Sequence, residues 1–419
     1  MDLEEFNKVL ESLHVNPQDS GKMFVDIEDA KHTPPVYGIV KSVEEFNWFF
    51  DNKNQKIFRK GEEFVMIPSL YVQLRIDQQS GKPILEPSGK DFKDYYKPYN
   101  GEDLTGKTVL LWRAGGIGDI LFIQPSIRYL KMKYPDCKVK FACAPVYFSF
   151  LRTWGDLIDE LHAVPFSLKE VEKADYHVTF EGVIERCKDA EKINAYKLFS
   201  MKLGLDLPES ILRPILKTTK SCNEKVKKFL NDNHLKENDY IVFQMRASSA
   251  IRTPPLDVWA RILCPLLEEG QKIVVTDRPS VADQIDNFVK AIIPKDLRAN
   301  MFSFCKHSES ISDSVSLVKY AKMVICPDSS MAHIGPAVGT KTFGIYAPFD
   351  ARLRMSTYKN CGWIQPKGKD EQVCKFGGAR CFMHGHNPCP YNINNASPCF
   401  YRIDCNKAVE EIRKLMESN

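Results

Sequence analysis

The sequence predicts an α/β protein with two Rossmann-like domains in series and an addition at each end. Short apolar runs alternate with helix patterns over residues 107–217 and again over 240–346. This alternation is typical of parallel sheets that are covered by helices on both faces. We therefore predict four parts: an N-terminal α+β appendage (1–105), a first Rossmann-like domain (106–217), a second one (218–360), and a Cys-rich segment with a C-terminal helix (361–419).

The individual elements follow from the hydrophobic pattern. Continuous apolar runs between turn signals predict buried parallel strands, and these fall at 107–113, 138–144, 160–165, 176–180, 240–245, 272–276, 301–304, 323–326 and 342–346. In the appendage, Val72, Leu74 and Ile76 alternate with Gln73 and Arg75, which predicts a strand there.

Composition narrows the class of protein. The chain has 419 residues with 43% hydrophobic and 27% charged residues, which is ordinary for a globular protein of more than one domain. The net charge of +4 permits an anionic substrate without requiring nucleic acid. The N-terminus has no signal-peptide pattern and no apolar run is long enough to span a membrane, so we predict a cytoplasmic protein with reduced cysteines.

The stretch KTVLLWRAGGIGDILFIQPSIRYLKMKY (107–134) organises the first domain. A buried strand ends at a turn containing Gly115, Gly116 and Gly118, and a helix follows. A strand, a glycine turn and a helix N-terminus together form an anion site, and we predict that Gly116 and Gly118 contact a phosphorylated ligand. The spacing matches neither the dinucleotide fingerprint nor a P-loop.

Asp119, in the first turn of that helix, has two interpretations. It can cap the helix, because a carboxylate there satisfies backbone N–H groups and favours the helix dipole. It can also be a catalytic carboxylate at the carboxyl end of a strand, where open α/β sheets place their ligands.

The stretch MVICPDSSMAHIGPAVGTKTFGIYAP (323–348) organises the second domain. Asp328, Ser329 and Ser330 lie where a strand ends and a helix begins, and His333 follows in the first turn. Hydroxyls, backbone N–H groups and an imidazole that can be cationic suit a diphosphate. A simple Ser/Asp helix cap with an incidental histidine is the alternative.

Together the two stretches resemble glycosyltransferase family nine, the heptosyltransferase-like enzymes, which have the GT-B architecture of two facing Rossmann-like domains. The resemblance covers roughly residues 107–350 and implies an acceptor-side first domain and a donor-binding second domain. It implies a metal-independent, inverting transfer of a sugar from a nucleotide-diphosphate sugar to an acceptor hydroxyl. No cofactor is required in such a reaction.

The resemblance also assigns residues. Asp119 matches the family's general base, and Asp328, Ser329, Ser330 and His333 match the segment that contacts the donor nucleotide. Ser248 and Ser249 match the hydroxyl residues after the first strand of the second domain. Arg252 matches the basic residue that follows them, with Arg246 as an alternative. Ser330 replaces the family's usual glycine, and Asp277 is a weak candidate for the ribose-binding acid.

Two alternatives concern the function. The same chemistry can act on an acceptor other than a lipopolysaccharide glycan, such as a hydroxylated base in DNA or a protein side chain. A non-catalytic nucleotide-sugar binding module is the other alternative, and it predicts that Asp119→Asn changes nothing measurable. The sugar, the nucleotide base and the oligomeric state are not assigned by the sequence.

The Cys-rich segment contains potential zinc ligands, among them Cys374, Cys381, His386 and Cys389. His384, Cys399 and Cys405 are nearby, but the C-x₂-C spacing of a zinc knuckle is absent. We expect reduced cysteines that pack a loop-rich subdomain, with a structural zinc as the alternative.

Overall fold

The computed structural model describes residues 2–16, 18–19, 22–33, 35–49, 55–347, 349–366 and 397–418. The chain forms two compact units. The first contains Met1–Asp189 and Lys197–Leu207, and the second contains Ala190–Tyr196 and Pro208–Asn419. The finer four-part division stays a prediction.

The helices of the first unit and of the segment that joins it to the second are short, except for α4. Their bounds are α1 Leu3–Ser12, α2 Ile27–His32, α3 Pro68–Leu74, α4 Ile117–Lys133, α5 Phe148–Leu151, α6 Leu168–Glu172, α7 Val183–Arg186 and α8 Ala195–Lys202. The second unit continues with α9 Lys220–Asp232, α10 Leu256–Glu268, α11 Ala282–Ile292, α12 Ile311–Lys319, α13 Met331–Ala337, α14 Arg352–Met355 and α15 Cys405–Glu417. Among the described helices, none has the length and apolar character needed to cross a membrane.

The described strands of the first unit form three sheets. Their bounds are β1 Gly38–Ser42, β2 Phe46–Phe49, β3 Gln55–Phe58, β4 Glu63–Met66, β5 Leu85–Pro87, β6 Thr108–Trp112, β7 Lys138–Cys143, β8 Glu160–Ala163, β9 Phe166–Ser167 and β10 Tyr176–Thr179. The order β10-β6-β7-β8 is parallel, as predicted for a Rossmann-like domain. An antiparallel sheet has the order β5-β1-β4-β9, so the N-terminal region shares a sheet with a strand that follows β8.

The second unit contains one parallel sheet in the order β13-β12-β11-β14-β15-β16. Its strands are β11 Tyr240–Phe243, β12 Lys272–Val275, β13 Met301–Ser303, β14 Met323–Pro327, β15 Lys341–Ile345 and β16 Cys361–Ile364. Every residue of the central strands β11 and β14 is buried. This explains why their sequences are continuous apolar runs, since a parallel sheet is covered on both faces.

Helices α10 and α15 cover one face of this sheet. Trp259 of α10 packs edge-on against Phe243, with ring centroids 4.8 Å apart, and its indole N–H donates to the carbonyl of Met245 at 3.0 Å. Ile412 of α15 belongs to the same apolar cluster. The C-terminal helix and the edge strand β16 therefore complete the core of the second unit.

One predicted element is wrong. The segment with Val72 and Leu74 begins as helix α3, although Ile76 forms an isolated β-bridge with Pro83. Pro68 occupies the first helical position, where its fixed φ favours a helix and its missing N–H costs nothing. Tyr71 is buried on the inner face of this helix, and the short alternating pattern did not reveal that face.

Lys202, at the end of α8, is a buried cation of the first unit. Its Nζ donates a hydrogen bond to the carbonyl of Ala30 at 2.6 Å. Burial lowers the pKa of the amine from 10.5 to about 8. The amine is therefore more acidic in the folded protein than in the unfolded chain.

We expect Lys202 to make stability depend on pH between about pH 8 and 10.5. In this window the unfolded chain binds more protons than the folded protein, so the contribution of Lys202 to the free energy of unfolding rises with pH, by about 3 kcal/mol in total. Urea unfolding of wild type and Lys202→Met should show a stability difference that shifts in favour of wild type as pH rises. Lys197→Met, at a half-exposed lysine 3.4 Å from Asp206, is the control. A pH-independent difference for Lys202→Met would contradict the prediction.

Candidate functional site

The glycine turn of the first unit places Asp119 at the start of α4. Gly116 is the N-cap residue with a φ of 83°, in the left-handed region that favours glycine. A Cβ at this position would collide with the carboxylate of Asp119. Gly118 and Asp119 are the second and third residues of the helix, and no side chain caps it at Gly116. The capping interpretation placed Asp119 at the N-cap position. The structure places Gly116 there and Asp119 three residues later.

The carboxylate of Asp119 is held by Arg113, which directly follows β6. An Nη2–H of Arg113 donates to Oδ2 of Asp119 at 2.7 Å. The side chain of Arg113 is almost fully buried, whereas that of Asp119 is 22% exposed. Asp119 thus has one oxygen fixed by a guanidinium while part of the carboxylate remains accessible.

Arg113 contacts two further carboxylates. Its Nη1 donates to Glu181 at 3.2 Å and to Glu185 at 3.3 Å, and its Nη2 pairs with the other oxygen of Glu185. Its Nε–H donates to the carbonyl of Gly115 at 3.0 Å. One guanidinium therefore joins the glycine turn, Asp119 and the segment that follows β10.

The charges in this cluster influence one another strongly. Burial alone would lower the pKa of Arg113, but Asp119, Glu185 and Glu181 raise it well above its usual value, so the guanidinium stays charged. Burial raises the pKa of Glu181, although Arg113 and the N–H of Ala114 oppose this shift. Glu181 is therefore easier to protonate than an ordinary glutamate.

The sequence analysis missed Arg113. The available signal was a cation directly after a buried apolar run and six positions before Asp119, where the strand end and the first helical turn come together. Glu181 and Glu185 follow the strand that pairs with β6, so their place near Arg113 required knowledge of the strand order.

We expect Arg113→Met to destabilise the protein by about 3 kcal/mol, because it leaves three partly exposed carboxylates without the buried cation that they share. Arg113→Lys keeps the charge but loses the planar fork of donors, so its cost should be smaller. The midpoint of urea unfolding measures both. Lys107→Met removes an exposed partner of Asp175 beside the same strand and should cost at most about 1 kcal/mol. An Arg113→Met effect as small as that of Lys107→Met would contradict the prediction.

In the second unit, the residues after β11 surround Arg252. Its Nη2 donates to Oγ of Ser248, and its Nη1 donates to the backbone carbonyl of Asp328 at 3.4 Å. The guanidinium also lies 3.6 Å from the carboxylate of Asp328. The structure therefore brings together predicted residues from two separate stretches of sequence.

Arg246, the alternative basic residue, lies in a different environment. Its Nε donates to Oδ2 of Asp277 at 3.1 Å, and its Nη1 donates to Oε1 of Gln284 at 3.3 Å. Among the described contacts, Arg252 pairs with Asp328, whereas Arg246 pairs with Asp277.

A cavity of about 870 Å³ adjoins this loop. Ser248, Ser249 and Arg246 are among its polar lining residues, and Phe288 and Tyr401 are among its aromatic ones. Ser249 is buried, and its Oγ has no hydrogen-bond partner among the described residues. A buried hydroxyl without a partner is costly, which is typical of a site that a polar ligand completes.

In the predicted segment after β14, Asp328 and His333 are buried, whereas Ser329 and Ser330 are partly exposed. Oγ of Ser329 donates to the side-chain oxygen of Gln244, and Ser330 is the N-cap residue of α13 without a side-chain cap bond. His333 lies inside α13, where its Nδ1 is 3.0 Å from the hydroxyl of Tyr358 and 3.4 Å from that of Tyr196.

The expectation of a cationic imidazole at position 333 requires correction. Burial, followed by the positive charges of Arg354 and Arg252, lowers the pKa of His333 to about 3. The imidazole is therefore neutral near pH 7. Positive charge in this part of the second unit comes from guanidinium groups, and His333 contributes hydrogen bonds to two buried tyrosines.

We expect His333 to stay neutral between pH 5.5 and 8. Because the unfolded chain binds a proton near pH 6.5 and the folded protein does not, His333 also makes stability fall as pH drops from about 6.5 toward 3. NMR of ¹⁵N-histidine-labelled protein measures the state directly, and the resonances missing from His333→Asn assign the residue. A titration of those resonances near pH 6.5 would contradict the prediction.

The predicted zinc ligands Cys374, Cys381, His386 and Cys389 lie outside the described residues. Within the described ranges, Glu160, His162 and Glu170 form a group with metal-ligand spacing. Lys140 already pairs with Glu160 at 3.1 Å and with Glu170 at 2.9 Å, so both carboxylates have a cationic partner from the protein itself.

The comparisons with known proteins bear on the second unit most directly. Residues 193–363 match the model of glycosyltransferase family 9 (heptosyltransferase). Ser248, Arg252, Asp328 and His333 all lie inside the matched range. The family resemblance is confirmed.

The chain is a glycosyltransferase with the GT-B fold. Its fold is similar to that of ADP-heptose lipopolysaccharide heptosyltransferase II from E. coli, with a TM-score of 0.56, 13% identity, and 74% of this chain and 98% of that chain covered. A family 9 glycosyltransferase from Veillonella parvula gives a TM-score of 0.56 and 12% identity, with 75% and 98% covered. No curated protein matches the sequence.

The glycosyltransferase is also similar in fold to TibC, an iron-containing dodecameric glycosyltransferase from enterotoxigenic E. coli. The TM-score is 0.52 and the identity 14%, with 91% of this chain and 92% of TibC covered. The similarity to TibC covers a larger share of this chain than the similarity to the E. coli or the Veillonella parvula enzyme does.

Proposed function

We propose that the protein transfers a sugar from a nucleotide-diphosphate sugar to an acceptor hydroxyl, with inversion and without a metal at the reacting atoms. The observation that carries this proposal is the cluster of Ser248, Arg252 and Asp328 inside the family match. The predicted donor residues from two stretches meet there, next to the unpartnered hydroxyl of Ser249.

The donor residues have the chemistry that the leaving group requires. In glycosyl transfer the diphosphate gains negative charge as its bond to the anomeric carbon breaks. A guanidinium and hydroxyl groups that are already positioned stabilise that charge without reorganisation. Arg252, Ser248, Ser249 and Ser329 are our candidates for this role, and Gly116 and Gly118 are candidates for a contact with the donor from the first unit.

Asp119 is our candidate for the general base. Its carboxylate is partly exposed and is oriented by Arg113, as a base requires if it is to accept a proton from an acceptor hydroxyl. The proton moves to the carboxylate as the hydroxyl oxygen forms its bond to the anomeric carbon. We propose that the reaction takes place in the cytoplasm, where nucleotide sugars are available.

ADP-heptose is the first donor to test, because TibC has been solved with ADP-D-β-D-heptose. The metal content of the purified protein should be measured at the same time. TibC contains iron, so iron as well as zinc is a candidate for the segment that contains Cys374 and Cys389.

We expect Arg252→Met and Asp119→Asn to separate donor binding from transfer. Arg252→Met should weaken nucleotide binding by roughly 10- to 100-fold, because a charged hydrogen bond is lost. Asp119→Asn should keep the binding and lower the rate of donor hydrolysis or transfer by roughly 100-fold or more. Calorimetry with ADP, UDP and GDP measures the binding, and release of the nucleoside diphosphate measures the rate.

Arg261→Met is the control for Arg252→Met, because Arg261 is a half-exposed arginine that pairs with Asp257 on α10. It should bind nucleotide as wild type does. If Asp119→Asn turns over donor as fast as wild type, the protein is a binding module or uses another base. If wild type binds no nucleotide, the proposed function is wrong.

A further inference from the structure

Tyr346 is a fully buried tyrosine whose hydroxyl has no hydrogen-bond partner among the described residues. It follows β15 directly and was not among the residues that the sequence analysis assigned to the site. A buried hydroxyl without a hydrogen-bond partner lowers stability by about 1–3 kcal/mol. Such a group in a native protein therefore needs an explanation. We look for this explanation in the surroundings of the Tyr346 hydroxyl.

The backbone and the ring of Tyr346 are held in place. The N–H of Tyr346 donates to the carbonyl of Ile364 in the neighbouring strand at 2.9 Å. The ring lies over Gly344, where an added Cβ would be only 2.5 Å from Cε2 of the tyrosine. Only glycine at position 344 leaves room for the ring, so the hydroxyl points in a defined direction.

The sheet register places Tyr346 next to the donor residues of the second unit. In the β14–β15 pair, Cys326 is opposite Gly344 and Pro327 is opposite Ile345. The next position sets Asp328 opposite Tyr346, on the face that also carries Cys326 and Gly344, because alternate residues of a strand share a face. Asp328 is the residue that pairs with Arg252.

The electrostatic surroundings agree with this placement. Burial, with smaller contributions from Asp328 and Cys326, raises the pKa of Tyr346 well above its usual value, while Arg354 and Arg252 oppose the shift. The phenol therefore keeps its proton near neutral pH. It offers an O–H donor beside a guanidinium that we assign to the donor diphosphate.

We propose that Tyr346 is a further donor-binding residue whose hydroxyl donates a hydrogen bond to a diphosphate oxygen of the nucleotide-diphosphate sugar. This inference rests on the proposed function. A diphosphate oxygen is a charged acceptor, and a hydrogen bond to it strengthens as the leaving group gains charge. The bond would also satisfy the buried hydroxyl, which explains why a tyrosine rather than a phenylalanine lies at this position.

Tyr346→Phe removes only the hydroxyl and tests the proposal. Without nucleotide, the variant should unfold at the same temperature as wild type or higher, because the lost group has no hydrogen-bond partner among the described residues. Its affinity for ADP, or for whichever diphosphate wild type binds, should fall roughly tenfold or more, because a hydrogen bond to a charged group is lost. Thermal unfolding and calorimetry measure the two effects.

Tyr240→Phe is the matched control in the same sheet. Tyr240 is also fully buried, but its hydroxyl donates to the carbonyl of Leu317 at 2.7 Å. This variant should lose stability without nucleotide and keep the affinity for the diphosphate. The two variants should therefore show opposite patterns.

Two results would overturn the inference while leaving the proposed function intact. One is a Tyr346→Phe variant that binds the diphosphate as tightly as wild type does. The other is a loss of stability without nucleotide as large as that of Tyr240→Phe, which would mean that the hydroxyl is satisfied inside the protein or by a bound water. If wild type binds no nucleotide diphosphate at all, the proposed function fails, and this inference fails with it.

Discussion

The parallel pairing of β11, β14 and β15 is the constraint on which the second unit depends. Because the three strands run in the same direction, their carboxyl ends lie at one edge of the sheet. Ser248 and Arg252 follow β11, Asp328 follows β14, and Tyr346 follows β15. The strands are almost entirely buried, so polar side chains that can meet a ligand come from the segments that follow them. The contact between Arg252 and Asp328 is a direct consequence of this arrangement.

A second constraint acts in the first unit, where a guanidinium is removed from water. Removing the charged guanidinium of Arg113 from water costs free energy. Its ion pairs with Asp119, Glu181 and Glu185 offset this cost. The same contacts orient Asp119 and tie the glycine turn to the segment after β10. Arg113 therefore both orients the proposed base Asp119 and holds the surrounding structure together. A substitution at position 113 changes stability and the orientation of Asp119 at the same time.

Much of this architecture could be predicted from the sequence, and the exceptions have physical causes. Parallel strands leave long apolar runs, so β6, β7, β11 and β14 were evident. Short segments were not: Val72 and Leu74 alternate with polar residues, yet they lie in a helix that Pro68 initiates and Tyr71 anchors. The motif analysis selected Asp119 and Asp328 as candidates but not Arg113 and Tyr346, because the surroundings of the last two depend on burial and strand register. Burial also reversed the expected charge of His333.

Several groups in the proposed donor site keep one protonation state near neutral pH. Arginine stays charged, burial keeps Tyr346 protonated, and burial keeps His333 neutral. The carboxylate cluster around Arg113 is different, because burial raises the pKa of Glu181 above its usual value. If the proposed function holds, pH should therefore act on proton transfer near Asp119 and leave donor binding nearly constant. A rate that changes with pH while donor affinity does not would follow from this division of roles.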